Sequence, residues 1–242
     1  MIGDRTISLC MVVYNQSDLV ERTVKSLTVA DEVVIVDQGS DDEHAKKLKS
    51  LATTYHRTTN KGNGDFDRQF CYSLSKKDCI FAFDADEFIE EAELSAFSDL
   101  FLEYDFDVAW FLFKNTVSSN GKTIDLQNIL GDDPHPRFWK RMIMVNGRGM
   151  PTLNWPHEAH KYPEILSEKQ AFLRVKFNHD RKLEDIIKTH ISRGKVVEEN
   201  AQKMERDFVS AVLKEFGDEV FQNVKLKFPE LLNYLKGTSN GR

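Results

Sequence analysis

The segment Cys79–Glu90, CIFAFDADEFIE, decides how the rest of the chain is interpreted. Four apolar residues, IFAF, run directly into three acids within four positions, Asp84, Asp86 and Glu87. A short apolar run with polar flanks is typical of a strand that is buried on both faces. Ligands of open α/β sheets bind outside the carboxyl ends of the strands, and close carboxylates repel one another unless a cation neutralises them. The segment therefore predicts a buried strand that ends at an acidic site.

Two interpretations of these acids are open at this point. Carboxylate oxygens suit Mg²⁺ or Mn²⁺, which proteins usually hold together with the phosphates of a substrate. A solvated acidic turn at the start of a helix is the alternative, because Asp and Glu favour helix N-termini. The strands and helices predicted upstream of the acids favour the ligand site.

The first 90 residues alternate between predicted strands and helices. Ile7–Tyr14, Glu32–Val36 and Thr53–Thr58 are apolar or β-branched enough to form strands. Apolar residues at helical spacing follow each of them, and Ser40 with Glu43 fits a capping box at the start of the second helix. This alternation predicts a parallel, doubly wound sheet.

Beyond Glu90 the pattern changes to a mixture of strands that is followed by helices. The predicted elements are a helix at Glu91–Tyr104, strands at Val108–Phe113, Arg137–Val145 and Phe172–Phe177, a hairpin turn at Ser119–Lys122, and helices from Leu183, at Val196–Phe216 and at Phe221–Lys236. The segment Gly147–Pro163 is rich in Gly, Pro and Trp, so we interpret it as a loop of a functional site. One α/β domain with a C-terminal helical extension is therefore expected.

Composition restricts the class of protein further. The 242 residues are 40% hydrophobic and include 17 Phe, which is enough for a sizeable core. No apolar run approaches the ~20 residues of a membrane span. Asp4 precedes the first apolar run and no small-residue cleavage site follows it, so a strand is favoured over a signal peptide. Cys10, Cys71 and Cys79 lack metal-site spacing and are expected to be buried, reduced thiols of a cytosolic protein.

Four motifs of the first 90 residues follow one another in a recognisable order: ISLCMVVYN, EVVIVDQGSDD, Arg68 in the third predicted helix, and FAFDADE. The motifs, their order and their spacing resemble the family 2 glycosyltransferases, which have the GT-A fold. Two later segments, PRFWKR…NWPHE and FNHDRKLEDIIK, resemble the lipopolysaccharide-core β-glucosyltransferase branch of that family. The resemblance covers about residues 6–195 and is weaker after residue 90.

This resemblance implies a fold and a division of the chain. The expected fold is α/β, with a GT-A, Rossmann-like sheet that binds a nucleotide sugar and is flanked by helices. Residues 1–181 would form the GT-A domain, in which 1–90 are the nucleotide-binding half and 91–181 the acceptor half. Residues 182–242 would form the C-terminal helical extension.

The resemblance also implies which residues hold the nucleoside. Asp37 would bind the uracil or the ribose, while Tyr14 and Asn15 would flank the base. A carboxylate suits this task because ribose hydroxyls and the uracil N–H are neutral donors that need an acceptor. The structural alternatives are a turn-forming Asp37 before Gly39 and an Asn15 that caps a helix.

Further positions match the family's metal and phosphate contacts. Asp86 matches a metal ligand, Asp84 matches a residue that contacts the ribose or the metal through water, and Ala85 lies between them in the donor site. Arg68 matches an arginine near the donor, and its alternative role is a salt bridge to one of the acids. His179 resembles a third metal ligand or a phosphate contact, although a lone histidine is more often structural.

A transfer reaction also needs a base that takes the proton of the acceptor hydroxyl. Glu158, in the aromatic segment NWPHEAH, is the candidate, and Trp155 would stack on a sugar face. An ion pair of Glu158 with Arg137 or Arg141 is the structural alternative. Two other acids are the next candidate bases: Glu87 and Asp133.

Together these residues predict a metal-dependent, inverting glycosyltransferase that uses Mn²⁺ or Mg²⁺. The donor would be a nucleotide-diphosphate sugar, in the first place a UDP-sugar. The resemblance to the lipopolysaccharide branch favours a glycan or lipid-linked acceptor of the bacterial surface. A cytoplasmic protein, either free or at the inner face of the membrane, is expected.

Two alternatives stay open on the sequence alone. Residues 1–133 hold 25 acidic and 13 basic side chains, whereas residues 134–242 hold 14 and 20. The basic second half permits an anionic acceptor, such as the modified bases of DNA that some phage enzymes glycosylate. The other alternative is a binding domain that has kept the fold and lost the transfer reaction.

Overall fold

The computed structural model describes residues 1–60, 65–130, 134–140, 169–193 and 199–236. The strands are β1 (Ile7–Val13), β2 (Glu32–Asp37), β3 (Thr54–Arg57), β4 (Cys79–Ala82), β5 (Glu87–Ile89), β6 (Val108–Ser119), β7 (Lys122–Asp125), β8 (Pro134–Lys140) and β9 (Gln170–Lys182). The helices are α1 (Ser17–Ser26), α2 (Asp42–Leu51), α3 (Asp65–Ser73), α4 (Glu91–Tyr104), α5 (Gln127–Leu130), α6 (Leu183–Arg193), α7 (Glu199–Phe216), α8 (Asp218–Lys227) and α9 (Leu231–Leu235).

The strands of the described residues form one mixed sheet. Its order is β3-β2-β1-β4-β8-β6-β9-β5, and β7 pairs with β6. The pairs β1–β2, β1–β4 and β2–β3 are parallel, as the strand–helix alternation of the first 90 residues predicts. The pairs β4–β8 and β6–β8 are antiparallel. The sheet therefore changes direction immediately beside the strand that carries the acids.

Strand β4 is buried on both faces, as its apolar run predicts. The side chains of Cys79 and Phe81 belong to one apolar cluster, and those of Ile80 and Ala82 belong to another. The ring of Phe81 lies 5.0 Å from the rings of both Phe97 and Phe138, measured between centroids. Aromatic pairs at this separation add to the burial energy. Dense packing thus holds the strand from which the acidic turn projects.

The chain divides into two compact units. The first comprises Met1–Phe113 and Pro134–Asn178, and the second comprises Lys114–Asp133 and His179–Arg242. The expected helical extension, 182–242, lies in the second unit, which also contains the segment from Lys114. Helices α6 and α7 supply most of the second unit's core, with Ile187 and Val209 fully buried.

Several predicted boundaries differ from those observed. Strand β6 continues past Phe113 to Ser119, because its polar end pairs with β7. Asn120 and Gly121 join these two strands with φ of 49° and 77°, the left-handed pair that a tight hairpin requires. Strand β9 is likewise longer than the predicted Phe172–Phe177.

The remaining differences lie at a proline and at the limits of the described residues. The predicted helix Phe221–Lys236 is two helices, α8 and α9, because Phe228 precedes Pro229 and its backbone is not helical, with φ of −125° and ψ of 80°. The predicted strand Arg137–Val145 is seen as β8, and residues 141–145 lie outside the described residues. Helix α7 begins at Glu199, and residues 194–198 also lie outside them.

Two other expectations concern cysteines and membranes. Cys10, Cys71 and Cys79 are buried and are not joined by disulfides, as predicted. Burial raises the pKa of the Cys79 thiol to about 12, which keeps it protonated and unreactive. Within the part of the chain that the structure describes, no helix combines the length and the apolarity needed to cross a membrane.

Candidate active site

Three strands deliver the predicted donor-site residues to one edge of the sheet. Strand β1 lies between β2 and β4 and runs parallel to both. Their carboxyl ends therefore lie side by side, which is where open α/β sheets bind ligands. Tyr14 and Asn15 follow β1, and Asp37 is the last residue of β2. Asp84 comes two residues after the end of β4. Tyr14 is 44% exposed at this edge.

Asp37 is fully buried and its carboxylate accepts several internal hydrogen bonds. The backbone N–H and the hydroxyl of Ser40 donate to Oδ1 over 2.8 and 2.5 Å. The Tyr55 hydroxyl donates to Oδ2 over 2.6 Å. Burial and this contact with Asp37 raise the pKa of Tyr55 to about 12. Arg57, on the neighbouring β3, brings its Nε to 3.8 Å from Oδ2.

Asn15 joins the loop after β1 to the loop after β2. Its backbone is left-handed, with φ of 51°, a conformation that asparagine tolerates better than most residues. Its N–H donates to the Ser40 hydroxyl over 2.9 Å, and its Oδ1 accepts from the N–H of Asp41 over 2.9 Å. Gln16, not Asn15, occupies the N-cap position of α1. Asn15 therefore does not cap that helix but connects the two loops.

The predicted capping box on the second helix is wrong by one residue. Asp41 is the N-cap of α2, and its Oδ1 accepts a hydrogen bond from the N–H of His44. The Ser40 side chain is instead used by Asp37 and Asn15. The Ser40 hydroxyl thus contacts Asp37 and Asn15 and does not cap the helix as the local motif predicts.

The acids after β4 form a closed turn between two strands. The N–H of Glu87 donates to the carbonyl of Asp84 over 3.1 Å, and the Glu87 carboxylate accepts from the N–H of Asp84 over 3.0 Å. Strand β5 begins at Glu87, and α4 begins only at Glu91. The alternative interpretation, an acidic first turn of a helix, is therefore not what the structure has.

Helix α1 fixes the backbone of this turn. The Thr23 hydroxyl lies 2.6 Å from the carbonyl oxygen of Glu87 and 3.0 Å from that of Ala85. Arg22 donates from Nη2 to the carbonyl of Asp86 over 3.3 Å. The Ala85 side chain is buried, so this residue offers a ligand only its backbone. The turn is held rigidly, which favours a preorganised site.

Two arginines from different elements neutralise the acids. Arg68, on α3, brings Nη2 to 2.5 Å from Oδ1 of Asp84. Arg137, on β8, brings Nη2 to 3.6 Å from Oδ2 of Asp84. Arg137 also donates from Nε and Nη2 to the two oxygens of Glu87 over 3.0 and 2.6 Å. Burial lowers the pKa of Arg137, but the carboxylates of Glu87 and Asp84 raise it above its usual value overall.

Comparison with known proteins decides the family. A family model, "Glycosyl transferase family 2", matches residues 8–162, which is more than half of the chain. The chain belongs to this family. It is a glycosyltransferase, and the predicted family, enzyme class and α/β GT-A fold are confirmed.

Solved structures with the same fold include a nucleotide-sugar complex. S. aureus TarS 1-349 matches with a TM-score of 0.53 and 15% identity, over 95% of this chain and 74% of that one. TarS 1-349 in complex with UDP-GlcNAc matches with a TM-score of 0.54 and 14% identity, over 97% and 76%. A longer TarS structure matches with a TM-score of 0.52 and 16% identity, over 86% of this chain and 43% of that one. At such identities the likeness extends to the fold alone.

In this family 2 glycosyltransferase, Arg68 makes the salt bridge to an acid that the sequence offered as its alternative role, and its contact with the donor stays a prediction. Its guanidinium forms a salt bridge with Asp84. The candidate base Glu87 has a side chain that is only 1% exposed and is held at both oxygens by Arg137. A carboxylate held in this way is unsuited to taking a proton from an acceptor. The residues Trp155 and Glu158 and the other candidate base, Asp133, lie outside the described residues.

His179 lies in the second unit, at the end of β9. Its Nδ1 is 2.8 Å from Oδ1 of Asn115, which is buried. Because an amide oxygen only accepts, the Nδ1–H of His179 is the donor, and the lone pair that could bind a metal lies on Nε2. The third-ligand role of His179 stays a prediction.

The chemistry of the donor set fits a hard divalent cation. Among the described residues, no group of three or more His, Cys, Asp or Glu side chains is placed to hold a metal ion. Mg²⁺, however, commonly takes only one or two protein carboxylates and completes its shell with substrate phosphates and water. Asp84 and Asp86 supply oxygen ligands of that type on one turn.

Sequence reasoning missed some polar residues that build the site. Asp67 is buried and accepts hydrogen bonds from Gln38 Nε2 over 2.9 Å and from the Thr58 hydroxyl over 3.0 Å. Tyr55 reaches Asp37 only because β2 pairs with β3. The one usable signal for Asp67 was its position beside Arg68. Such contacts depend on strand pairing and have no local pattern.

Proposed function

We propose that this glycosyltransferase moves a sugar from a UDP-sugar to an acceptor hydroxyl with inversion, using Mn²⁺ or Mg²⁺. The observation that carries the proposal is the partly exposed Asp84, 32% exposed, at the carboxyl edge shared by β1, β2 and β4. Its charge is balanced by arginines that a diphosphate can also engage. A family 2 fold with such an edge supports a donor site there.

The nucleoside end of the donor is assigned to the loops after β1 and β2. Tyr14 offers an exposed aromatic ring beside these loops. Asp37 is 0% exposed, and its Oδ2 accepts from Tyr55 with Arg57 Nε 3.8 Å away. Binding of uracil or ribose to Asp37 would therefore require Tyr55 or Arg57 to shift and uncover Oδ2. The TarS structures with UDP and UDP-GlcNAc support the choice of UDP.

The phosphate end of the donor is assigned to the acidic turn. Asp86 and Asp84 would hold the metal ion. The ion would neutralise the charge that develops on the departing nucleotide diphosphate. Arg68, which is paired with Asp84 in the structure, would contact the diphosphate in the complex.

The chemical step is an in-line displacement at the anomeric carbon of the donor sugar. The acceptor oxygen forms a bond to that carbon while the bond from the carbon to the diphosphate oxygen breaks. The Glu158 carboxylate takes the proton of the acceptor hydroxyl, and UDP leaves with the bonding electron pair. The acceptor that we propose is a bacterial surface glycan or lipopolysaccharide, in line with the segments around Arg137 and His179.

Calorimetric titration with UDP, with and without MnCl₂, tests the donor site. The wild-type protein should bind UDP more tightly with MnCl₂, and Asp86→Ala should lose that dependence while its Tm stays unchanged. Asp99→Ala, an exposed acid on α4, is the matched control and should bind as wild type does. UDP binding that does not respond to MnCl₂ in the wild type would contradict the metal-dependent site.

The variant Glu158→Gln tests the proposed base through its turnover, UDP affinity and Tm. This change keeps the shape of the side chain but removes its ability to take a proton, so turnover should fall about 10²–10⁴-fold. UDP affinity and Tm should hardly change. A variant that keeps turnover within a few-fold of wild type would exclude Glu158, and Asp133 would be the next residue to test.

A further inference from the structure

Glu87 and Arg137 form a nearly buried ion pair beside the acidic turn. The Glu87 side chain is 1% exposed and that of Arg137 is 15% exposed. Two parallel N–H···O bonds of 3.0 and 2.6 Å join the guanidinium to the carboxylate. Such a two-point contact fixes the relative orientation of both side chains.

Stability alone is a weak reason for such a pair. Taking two charges out of water costs about as much as their attraction returns, and apolar replacements of equal volume are often neutral or stabilising. The geometry that the pair imposes on its neighbours is therefore the feature to explain. Those neighbours are the residues of the acidic turn.

Both members of the pair contact Asp84. Glu87 accepts from the backbone N–H of Asp84 over 3.0 Å and donates its own N–H to the Asp84 carbonyl over 3.1 Å. Arg137 brings Nη2 to 3.6 Å from Oδ2 of the Asp84 carboxylate. The pair thus fixes the backbone of Asp84 and lies against its side chain.

A strand, and not a loop, holds the arginine. Strand β8 pairs antiparallel with β4, and the pairing of Phe138 with Phe81 places the preceding Arg137 at the carboxyl end of β4. The guanidinium also lies 5.1 Å from the ring centre of Phe113. Functional groups are positioned more accurately by strands than by loops.

We infer that Glu87 and Arg137 are positioning residues, which hold the Asp84 carboxylate in the orientation that binds the metal–diphosphate part of the donor. The inference rests on the proposed function, and it assigns Glu87 a role other than that of a base. Arg68 lies on α3 and contacts the other oxygen of Asp84. When the donor binds, Arg68 moves from Asp84 to the diphosphate. The pair stays in place while Arg68 moves.

A variant set separates positioning from stability. The set consists of Glu87→Gln, Arg137→Met, the double variant with both changes, and Lys140→Met. Lys140 is the matched control, because it lies on the same strand and pairs with Asp105 and Asp107 over 2.9 and 3.0 Å, away from the acidic turn. Each protein is measured for Tm and, by calorimetry, for UDP affinity at saturating MnCl₂.

The single variants should lower Tm, because each leaves a buried charge without its partner. The double variant should recover most of the lost Tm, yet bind UDP about 10- to 100-fold more weakly than wild type, as expected when supporting residues of a metal site are removed. Lys140→Met should bind UDP as wild type does. A purely structural pair predicts instead that UDP affinity recovers together with Tm.

Two results would overturn the inference: wild-type UDP affinity in the double variant, or an equal loss in Lys140→Met. If the double variant does not fold, Arg137→Lys decides, because it keeps the charge but not the two-point geometry. It should be folded and bind UDP more weakly, and unchanged binding overturns the inference. Absence of UDP binding by the wild type would overturn the proposed function as well, whereas binding by both wild type and double variant overturns only the pair's role.

Discussion

Asp37 and Asp84 lie at the same edge of the sheet, but the groups that surround their carboxylates differ. Asp37, at the end of β2, is 0% exposed and accepts from two hydroxyls and one backbone N–H. Asp84, just after β4, is 32% exposed and lies between two guanidinium groups. The Asp37 carboxylate is held by Ser40 of the following loop and by Tyr55 of β3, whereas the Asp84 carboxylate is held by guanidinium groups from α3 and β8.

The difference indicates that Asp37 and Asp84 have different roles in the site. Removing Asp37 would leave buried donors without an acceptor, which is costly for folding. Asp84 is 32% exposed, so water or a ligand can replace part of what its carboxylate loses when an arginine moves away. The edge after β2 therefore shapes the site, while the edge after β4 can exchange partners.

Crossed alanine variants test this contrast and carry the largest expected effect. Asp84→Ala should lose about 100-fold in UDP affinity at saturating MnCl₂, because it removes a proposed contact with the metal ion. Its free energy of unfolding should fall less than that of Asp37→Ala, because water reaches the partly exposed Asp84 site. Asp37→Ala should lower the free energy of unfolding by about 2–4 kcal/mol, since several buried donors lose their acceptor.

Urea denaturation and calorimetry on the same preparations measure both quantities. Asp41→Ala is the control for a loss confined to a helix cap and should cost about 1 kcal/mol. The contrast is broken if Asp37→Ala is as stable as wild type, or if Asp84→Ala unfolds as readily as Asp37→Ala does.

The strands that lead to Asp37 and Asp84 were predictable from local sequence patterns. The apolar run before Asp84 and the alternation upstream of it gave β1, β2 and β4 and their parallel order. The Asn120–Gly121 turn also followed from local rules, because it requires two left-handed residues. Patterns of this kind depend on residues close together in sequence.

The partners of the acids were not predictable in the same way. Arg137 and Glu87 are 50 positions apart, and only the pairing of β8 with β4 brings them together. Ser40 fits a helix cap by its local pattern, yet it is used by Asp37 and Asn15. Polar contacts across a sheet are decided by register, which a single sequence does not display.

Arg68→Met sharpens the comparison with two effects of opposite sign. Removing the guanidinium frees Asp84 from a competing cation, so Mn²⁺ alone should bind several-fold more tightly. UDP at saturating MnCl₂ should bind several-fold more weakly, because the charge-assisted contact with the diphosphate is lost. Manganese binding followed by electron paramagnetic resonance and UDP binding followed by calorimetry give the two numbers.

Arg68→Lys serves as the matched variant, because it keeps the charge and loses the planar fork. Both of its affinities should lie between those of wild type and Arg68→Met. Affinities for Mn²⁺ and UDP that fall together in Arg68→Met would mean that the arginine only supports the fold of the site, and exchange between Asp84 and the diphosphate would be ruled out.

The smallest expected effect concerns the hydroxyl that Tyr55 donates to Asp37. The pKa of Tyr55 is raised from 10.0 to about 12, by burial first and by Asp37 second. Above pH 10 the unfolded chain loses this proton while the folded chain keeps it, so the stabilisation is complete below pH 10 and declines as the pH rises towards 12. Tyr55→Phe lacks the hydroxyl and should be less stable than wild type by about 1 kcal/mol near neutral pH. That difference should shrink between about pH 10 and pH 12.

Tyr72 is also buried with a raised pKa, so both proteins lose stability in this range, and only the difference between them reports on Tyr55. Urea denaturation of the two proteins across this pH range measures it, and a difference that does not vary with pH would show that Tyr55 does not hold its proton through Asp37.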